Sequence, residues 1–250
     1  MNTVYITLND MRRIWLQPLV WIILGLTYLV IALLFLVFLS NFINDIQVKY
    51  AGLEQGPGVT DSVFYPILFW SSIIGALMMP IFTLRIITEE KIRKQDVLLS
   101  SSPIAKYKII AGKALALLSV ILAFAILNLS FPAVIALTTS PDWGKILAGV
   151  IGLVFFQFSY TCVYIWMATL THSLMFTLLG SFGFFLLSFV LFFSATSEAS
   201  TSELFLYLSG FSHMLPPLSG LIASQDLLFY TIGGIAFLCL ATIKLRYSEE

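Results

Sequence analysis

Side chains that could do chemistry are concentrated in one stretch of this chain, residues 85–113. It holds seven of the thirteen Lys and Arg residues of the protein, together with Glu89, Glu90 and Asp96. Long apolar runs flank it on both sides. Because a bilayer does not accept this density of charge, the stretch must stand in water, where its charged groups can bind a partner protein.

Residue patterns that mark catalysis or metal binding do not occur in the sequence. There is no paired-carboxylate site, no HExxH motif and no Ser/His/Asp set, and both His172 and His213 fall between apolar runs. Cys162 and Cys239 show neither a CxxC motif nor a Cys/His spacing. The sequence therefore predicts a protein that is not an enzyme, with no catalytic residue and no cofactor or metal of its own.

An ion-driven carrier is also disfavoured, because such proteins keep ionisable groups inside the bilayer. Every Asp and Glu is assigned here to a loop or to the end of an apolar run. Lys113 and Lys145 are assigned to span ends, from which their ammonium groups can reach water. No Walker A motif is present, since no glycine lies five residues before Gly112-Lys113. Energy for uphill transport would have to come from another polypeptide.

The composition is that of a membrane protein, with 59% apolar residues, 10% charged residues and a mean hydropathy of +0.98. A helix needs about 20 apolar residues to cross a bilayer. Segments of this kind predict six spans, at residues 15–43, 64–87, 109–137, 145–170, 173–195 and 227–245. The predicted fold class is all-α, a single transmembrane domain over residues 1–250 without a nucleotide-binding domain.

The distribution of Lys and Arg predicts the orientation of these spans. An even number of spans puts both termini on one side, and that side then carries Arg12, Arg13, the seven basic residues of 85–113, Lys244 and Arg246. The other side carries only Lys49 and Lys145. We therefore expect a multi-pass protein of the bacterial cytoplasmic (inner) membrane with both termini in the cytosol.

Two segments beside the spans are predicted to be helical. Residues 3–16 mix apolar and polar side chains and predict an interfacial helix before span 1, with a disordered tail as the alternative. Residues 89–99 predict a short cytosolic helix, with Ile92 and Leu98 on its apolar side and Lys94 in solvent. A rigid helix continuous with spans 2 and 3 can pass a push into the membrane. The alternative is a solvated loop whose charges only set the topology.

The run Glu89-Glu90-Lys91, followed by Leu98-Leu99, Ser102-Pro103 and Gly112-Lys113, resembles the inner loop of ABC-2 type permeases. The similarity is greatest to their gliding-motility (GldF-like) branch. The turn at 140–144 before span 4 and the break between spans 5 and 6 are also similar to this family.

This resemblance implies a permease subunit of an ABC transporter, most simply an exporter. Its partners would be a second permease copy or a paralogue, membrane lipid, and cytosolic ABC ATPase subunits that bind the ATP and Mg²⁺. Nucleic acid is not an expected partner. The resemblance also implies a coupling helix that docks the ATPase, with these residues: Glu89, Glu90, Lys91, Ile92, Arg93, Lys94, Leu98 and Leu99.

Spans 4 and 5 each carry polar residues at helical spacing, which places them on one side of each helix. We predict that they line either a substrate path or the seam between two copies, and the alternative is hydrogen bonding that only packs the helices together. The residues are Gln157, Thr161, Tyr164, Thr177, Ser181 and Ser188. Gln157 is the strongest candidate, because an amide in hydrocarbon needs a partner.

Residues 202–226 are apolar but are interrupted by Gly210, Pro216-Pro217 and Gly220, and so predict two short helices at the outer surface rather than a span.

The predicted fold of the whole chain also fits a second function. The chain would then be a membrane scaffold that transmits the work of an ATPase to an envelope or motility machine without a transport path. The sequence does not identify a cargo.

Overall fold

A computed structural model describes residues 3–49, 57–92, 105–197, 205 and 207–247. These residues are predominantly helical, and no strand occurs among them. Helix α1 covers Thr3–Trp15. Six helical segments are long and apolar enough to cross a membrane, and we number them spans 1 to 6: Pro18–Ile46, Thr60–Ile92, Lys106–Ile135, Trp143–Leu170, Leu174–Ser194 and Ser224–Leu245. The predicted all-α, multi-pass architecture is confirmed.

Several helices extend or break at the span ends. Spans 1 and 2 contain π-helical turns at Phe42–Ile46, Thr60–Phe64 and Leu84–Thr88. Span 3 is a long helix, Lys106–Asn128, followed by a short one, Ser130–Ile135. The helices that contain spans 5 and 6 cover Leu174–Ser197 and Ser224–Tyr247, and so extend beyond the ends of these spans. The described residues between them include two short helices, Ser212–Met214 and Leu215–Leu218.

Span 2 is longer at both ends than the hydropathy of its sequence predicts. The apolar pattern stops at Phe64 and Ile87, whereas the helical segment runs from Thr60 to Ile92. Polar side chains in these extensions have partners elsewhere in the fold. Asp61 accepts a hydrogen bond of 2.8 Å from Lys145 Nζ, and Glu90 pairs with Lys113. Partners of this kind allow a helix to continue beyond its apolar stretch.

The spans form an inner group and an outer group. In an 18-residue apolar stretch of each span, the share of residues buried within the protein is 67%, 61% and 67% for spans 2, 3 and 4. The corresponding share is only 17%, 22% and 22% for spans 1, 5 and 6. The close packing of span 4 depends on small residues. A Cβ added at Gly149 would lie 2.7 Å from Leu68 Cδ1, and one at Gly152 would lie 2.5 Å from Pro217 Cβ. The helices thus approach where only glycine fits.

Helix α1 packs along span 3. Its buried face consists of Ile6, Asp10 and Ile14, which recur every four residues and so lie on one side of the helix. Ile6 reaches Gly112 of span 3, where an added Cβ would lie 3.0 Å from Ile6 Cγ2. Trp15 Nε1 donates a hydrogen bond of 3.1 Å to Ser119 Oγ. The helix is therefore attached to the bundle along its whole length.

Candidate functional site

The strongest candidate site is a group of charged residues, three of them buried and one half-buried, where α1 meets the ends of spans 2 and 3. We call Asp10, Arg13, Glu90 and Lys113 the ionic cluster. Glu90 lies at its centre: one carboxylate oxygen accepts from Arg13 Nη1 at 2.5 Å, and the other accepts from Lys113 Nζ. Lys113 Nζ also lies 3.8 Å from Asp10 Oδ2. Two acids and two bases balance each other, which is the condition under which buried charges are tolerated.

Lys113 does not reach water as the sequence predicts, and that expectation is wrong. The residue is 6% exposed. Its ammonium group donates to the backbone oxygen of Ile86 at 3.0 Å and pairs with Glu90 on span 2. A lysine side chain extends toward solvent when the protein offers its ammonium group no acceptor. Here both a carboxylate and a carbonyl are close to Lys113 Nζ.

Asp10 is the least satisfied member of the ionic cluster. Burial raises the pKa of its carboxyl group above the ordinary value of 3.8, while the charge of Lys113 acts in the opposite direction. Within the described part of the chain, its Oδ2 atom has no hydrogen bond. Asp10 therefore contributes charge balance more than hydrogen bonding.

Lys91 joins the same region to span 4. Its Nζ atom donates to the backbone oxygens of Ala168 at 3.0 Å and Thr169 at 2.8 Å. These carbonyls belong to the last turn of span 4, where backbone acceptors lack helical partners and the helix dipole favours a cation. Lys91 thus links the end of span 2 to the end of span 4.

Glu90 and Lys91 together connect the end of span 2 to α1, span 3 and span 4. We call this end of the bundle, with α1 and the turn at 171–173, the terminal face. Each connection is an ion pair or a charge-assisted hydrogen bond that involves at least one buried group, and such contacts are strong and directional. A displacement of the helix at 89–92 would therefore be transmitted to three other elements.

The predicted coupling-helix residues fall into three groups. Glu90 and Lys91 are buried, and their side chains bind within the subunit. Glu89 is partly exposed beside Arg85, with Oε1 3.8 Å from Nε, and Ile92 is 49% exposed. The remaining ones lie outside the described residues: Arg93, Lys94, Leu98 and Leu99. Docking of an ATPase on this segment stays a prediction.

The predicted polar residues of spans 4 and 5 are all buried inside the subunit: Gln157, Thr161, Tyr164, Thr177, Ser181 and Ser188. Three of them make short side-chain bonds. Thr161 Oγ1 donates to the backbone oxygen of Gln157 at 2.7 Å, Ser188 Oγ lies 2.5 Å from Tyr160 Oη, and Thr177 Oγ1 donates to the backbone oxygen of Ser173 at 3.0 Å. These contacts match the packing alternative.

Gln157, Tyr164 and Ser181 differ from the other three. Within the described residues, their side-chain polar atoms are buried and have no hydrogen-bond partner. Gln157 lies against span 2, where a Cβ added to Gly75 would be 1.8 Å from Gln157 Nε2. A role of these residues in a substrate path or in the seam between two copies therefore stays a prediction. Gln157 could contact a second copy only if the helix bundle opened.

A second buried pair of ionisable residues lies at the opposite face of the bundle, where spans 5 and 6 are connected. His213 Nδ1 lies 2.7 Å from Asp226 Oδ1, and His213 Nε2 lies 3.1 Å from the backbone oxygen of Tyr207. The ring of His213 stacks on Phe229 with centroids 4.1 Å apart. Because Tyr207 offers only an acceptor, both bonds are made only if one proton is shared between Nδ1 and Oδ1.

Neither buried site was predicted from the sequence, although the sequence contains an indication of the ionic cluster. Asp10 occupies the apolar stripe of α1 between Ile6 and Ile14 at intervals of four residues. A charge on a buried helix face requires a partner of opposite charge. Nothing comparable marks His213 and Asp226, whose pairing depends on the fold of the segment between spans 5 and 6.

The chain matches no protein-family model and no curated protein sequence.

Proposed function

We propose that this chain is the membrane-spanning subunit of an ABC transporter, an exporter that works as a dimer and is driven by separate cytosolic ATPase subunits. The observation that carries the proposal is the attachment of the helix at 89–92. Through Glu90 and Lys91 this short helix is bonded to α1, span 3 and span 4. A motor protein that moves it would move the inner spans together, which is what a coupling element must do.

The excess of Lys and Arg on the terminal face supports a cytosolic location for this element. In this proposal α1 lies in the membrane interface, because its outer side is apolar and exposed at Val4, Tyr5 and Leu8. Residues 89–99 form the coupling helix, and the partner ATPase holds the ATP and Mg²⁺.

Two exposed isoleucines provide a matched test of the docking surface. Ile92 on the terminal face and Ile222 on the opposite face are each 49% exposed. Ile92→Asp is expected to abolish co-purification of a Walker-A ATPase with the tagged chain, while Ile222→Asp leaves it unchanged. Equal binding by both variants would refute docking at Ile92.

The orientation is tested with the same two positions and Glu89. A membrane-impermeant thiol reagent applied to intact cells should label Ile222→Cys and leave Glu89→Cys unlabelled until the cells are opened. The reverse pattern would place the coupling element outside the cell and end the proposal.

Transport is tested separately from docking. Vesicles that contain the chain with its ATPase should show substrate flux that is sensitive to vanadate. An ATPase that binds and hydrolyses ATP without any flux would favour the scaffold that transmits force to an envelope machine.

A further inference from the structure

A cavity of about 450 Å³ lies between spans 4, 5 and 6. Its walls are formed mainly by aromatic and aliphatic side chains, including Tyr160, Val163, Phe184, Leu187, Tyr230 and Phe237. All three spans are apolar over their length, so the cavity lies at the depth of the hydrocarbon. Of the six polar residues predicted to line a path or a seam, Ser188 alone lines this cavity, and the proposed function does not use the space.

The tyrosine hydroxyls in the cavity wall already have partners. Tyr160 Oη lies 2.5 Å from Ser188 Oγ, and Tyr230 Oη donates to the backbone oxygen of Gly210 at 2.6 Å. A polar ligand would have to compete with these bonds. An apolar ligand makes no such demand and gains dispersion contacts with the surrounding rings.

The rim of the cavity opens toward lipid. Leu187 of span 5 is 60% exposed and Leu208 of the connecting segment is 56% exposed. Val163, in contrast, is 3% exposed and lies on the cavity wall. A molecule in the surrounding hydrocarbon can reach Val163 only by entering between these spans.

The size of the cavity decides between two apolar occupants. A helix with side chains is about 10 Å wide, so 450 Å³ would hold only about one turn of it. A span of a second copy of this chain therefore does not fit. A flexible hydrocarbon chain is much thinner and is the most abundant apolar group at this depth.

We propose that this cavity is a binding site for an acyl chain of a bilayer phospholipid. The chain enters past Leu187 and Leu208 and lies against Val163 and Gly233. Filling the space removes a void of a kind that closely packed proteins avoid. The site is formed within a single subunit, so lipid binding can be tested without the ATPase.

Gly233 allows the cavity to be closed without disturbing its walls. A Cβ at this position would lie 3.7 Å from Ser159 Oγ, which is an ordinary contact, so a larger side chain would extend into the space. Gly183 of span 5 is the matched control, because it is exposed and a Cβ there would meet nothing within 4 Å. Gly233→Phe closes the cavity, and Gly183→Phe adds the same ring on the outside.

The test uses the full-length chain in phosphatidylethanolamine–phosphatidylglycerol vesicles that contain a phospholipid with a photoactivatable diazirine on its acyl chain. After irradiation, peptide mass spectrometry should find the label on Val163 and on exposed Val190 in the unmodified protein. Gly233→Phe should reduce the label at Val163 to background and leave Val190 labelled. Gly183→Phe and Gly233→Ala should leave both labelled.

The proposal is overturned if Val163 stays unlabelled in the unmodified protein, if its label persists in Gly233→Phe, or if Val163 is cross-linked to a second copy instead of lipid. Misfolding is detected by an altered melting temperature or by loss of the Val190 label. In that case Gly233→Leu replaces Gly233→Phe as the variant that closes the cavity.

Discussion

The two ends of this bundle hold buried charges in different ways. At the terminal face, the ionic cluster combines Glu90 and Asp10 with Arg13 and Lys113, so charge is balanced by permanent cations. At the opposite face, His213 faces Asp226, and both ring nitrogens are satisfied only when Nε2–H donates to Tyr207 and one proton is shared between Nδ1 and Asp226 Oδ1.

The two sites also differ in the parts of the chain that they connect. The ionic cluster joins elements far apart in sequence, since Arg13 and Glu90 are separated by 77 residues. The opposite pair joins residues only 13 apart and fixes the short connection to the start of span 6. The first site thus couples several elements at the terminal face, and the second holds one local segment in place. Substitutions at the two faces test this contrast.

Reversal of the central charge of the cluster should have the largest effect. Glu90→Lys leaves Arg13 and Lys113 without their acid and adds a third cation, and removal of one partner of a buried pair costs about 3–5 kcal/mol. The free energy of unfolding in mixed micelles measures the loss. Glu89→Lys is the control, because Glu89 is more exposed than Glu90 and its pair with Arg85 is of a kind worth about 0–1 kcal/mol. Equal losses would contradict a central role for Glu90.

Removal of Lys113 should be the next most damaging change. Lys113→Met leaves Glu90 with Arg13 alone and Asp10 without its closest cation, and we expect a loss of about 2–4 kcal/mol. The double variant Glu90→Gln/Lys113→Met retains one acid and one base, Asp10 and Arg13. Its loss should therefore be smaller than the sum of the single losses, by about 0.5–3 kcal/mol. Additive losses would show that the two residues do not act as a pair.

Changes at the opposite face should cost less. Asp226→Ala leaves one nitrogen of a buried histidine without a partner, at about 1–3 kcal/mol. Asp226→Asn keeps a donor for Nδ1 while Nε2–H still donates to Tyr207, so its loss should be clearly smaller. Melting temperatures of the two variants compare them. An equal loss for Ala and Asn would show that the hydrogen bond is unimportant.

The smallest effect is expected at Asp10. Since burial raises the pKa of this carboxyl group, the folded state binds its proton more tightly than the unfolded state. The attachment of α1 should therefore weaken as the pH rises from the ordinary value of 3.8 through the raised pKa. Asp10→Asn should remove this pH dependence and cost less than about 1 kcal/mol at neutral pH. Hydrogen exchange of α1 amides across this range is the measurement, and an unchanged pH dependence in the variant would contradict it.

Local sequence was sufficient to predict the six spans, because each span needs only a long run of apolar residues. The apolar pattern of span 2 ends at Ile87, and the helical residues Glu89–Ile92 lie within the segment 89–99 that was predicted to be a short helix. The burial of Glu90 and Lys91 was not predicted, because it depends on partners from α1, span 3 and span 4 that no local window contains.

The candidate site was only partly predictable for the same reason. The sequence directed attention to Glu89–Ile92, but it treated Glu90 and Lys91 as surface groups for a partner protein. Their burial follows from acceptors and cations supplied by distant residues, such as Ala168, which lies 77 positions from Lys91. Gln157 was expected to have a partner, yet within the described residues it has none.

The sequence by itself determined that this is an all-helical membrane protein with six spans, because the transfer of apolar side chains into a bilayer is a local property of each segment. Only the tertiary structure decided which charges face water and which are buried. A carboxylate such as Glu90 can leave water only where Arg13 and Lys113 meet it, and that meeting exists only once α1 and the spans have packed together.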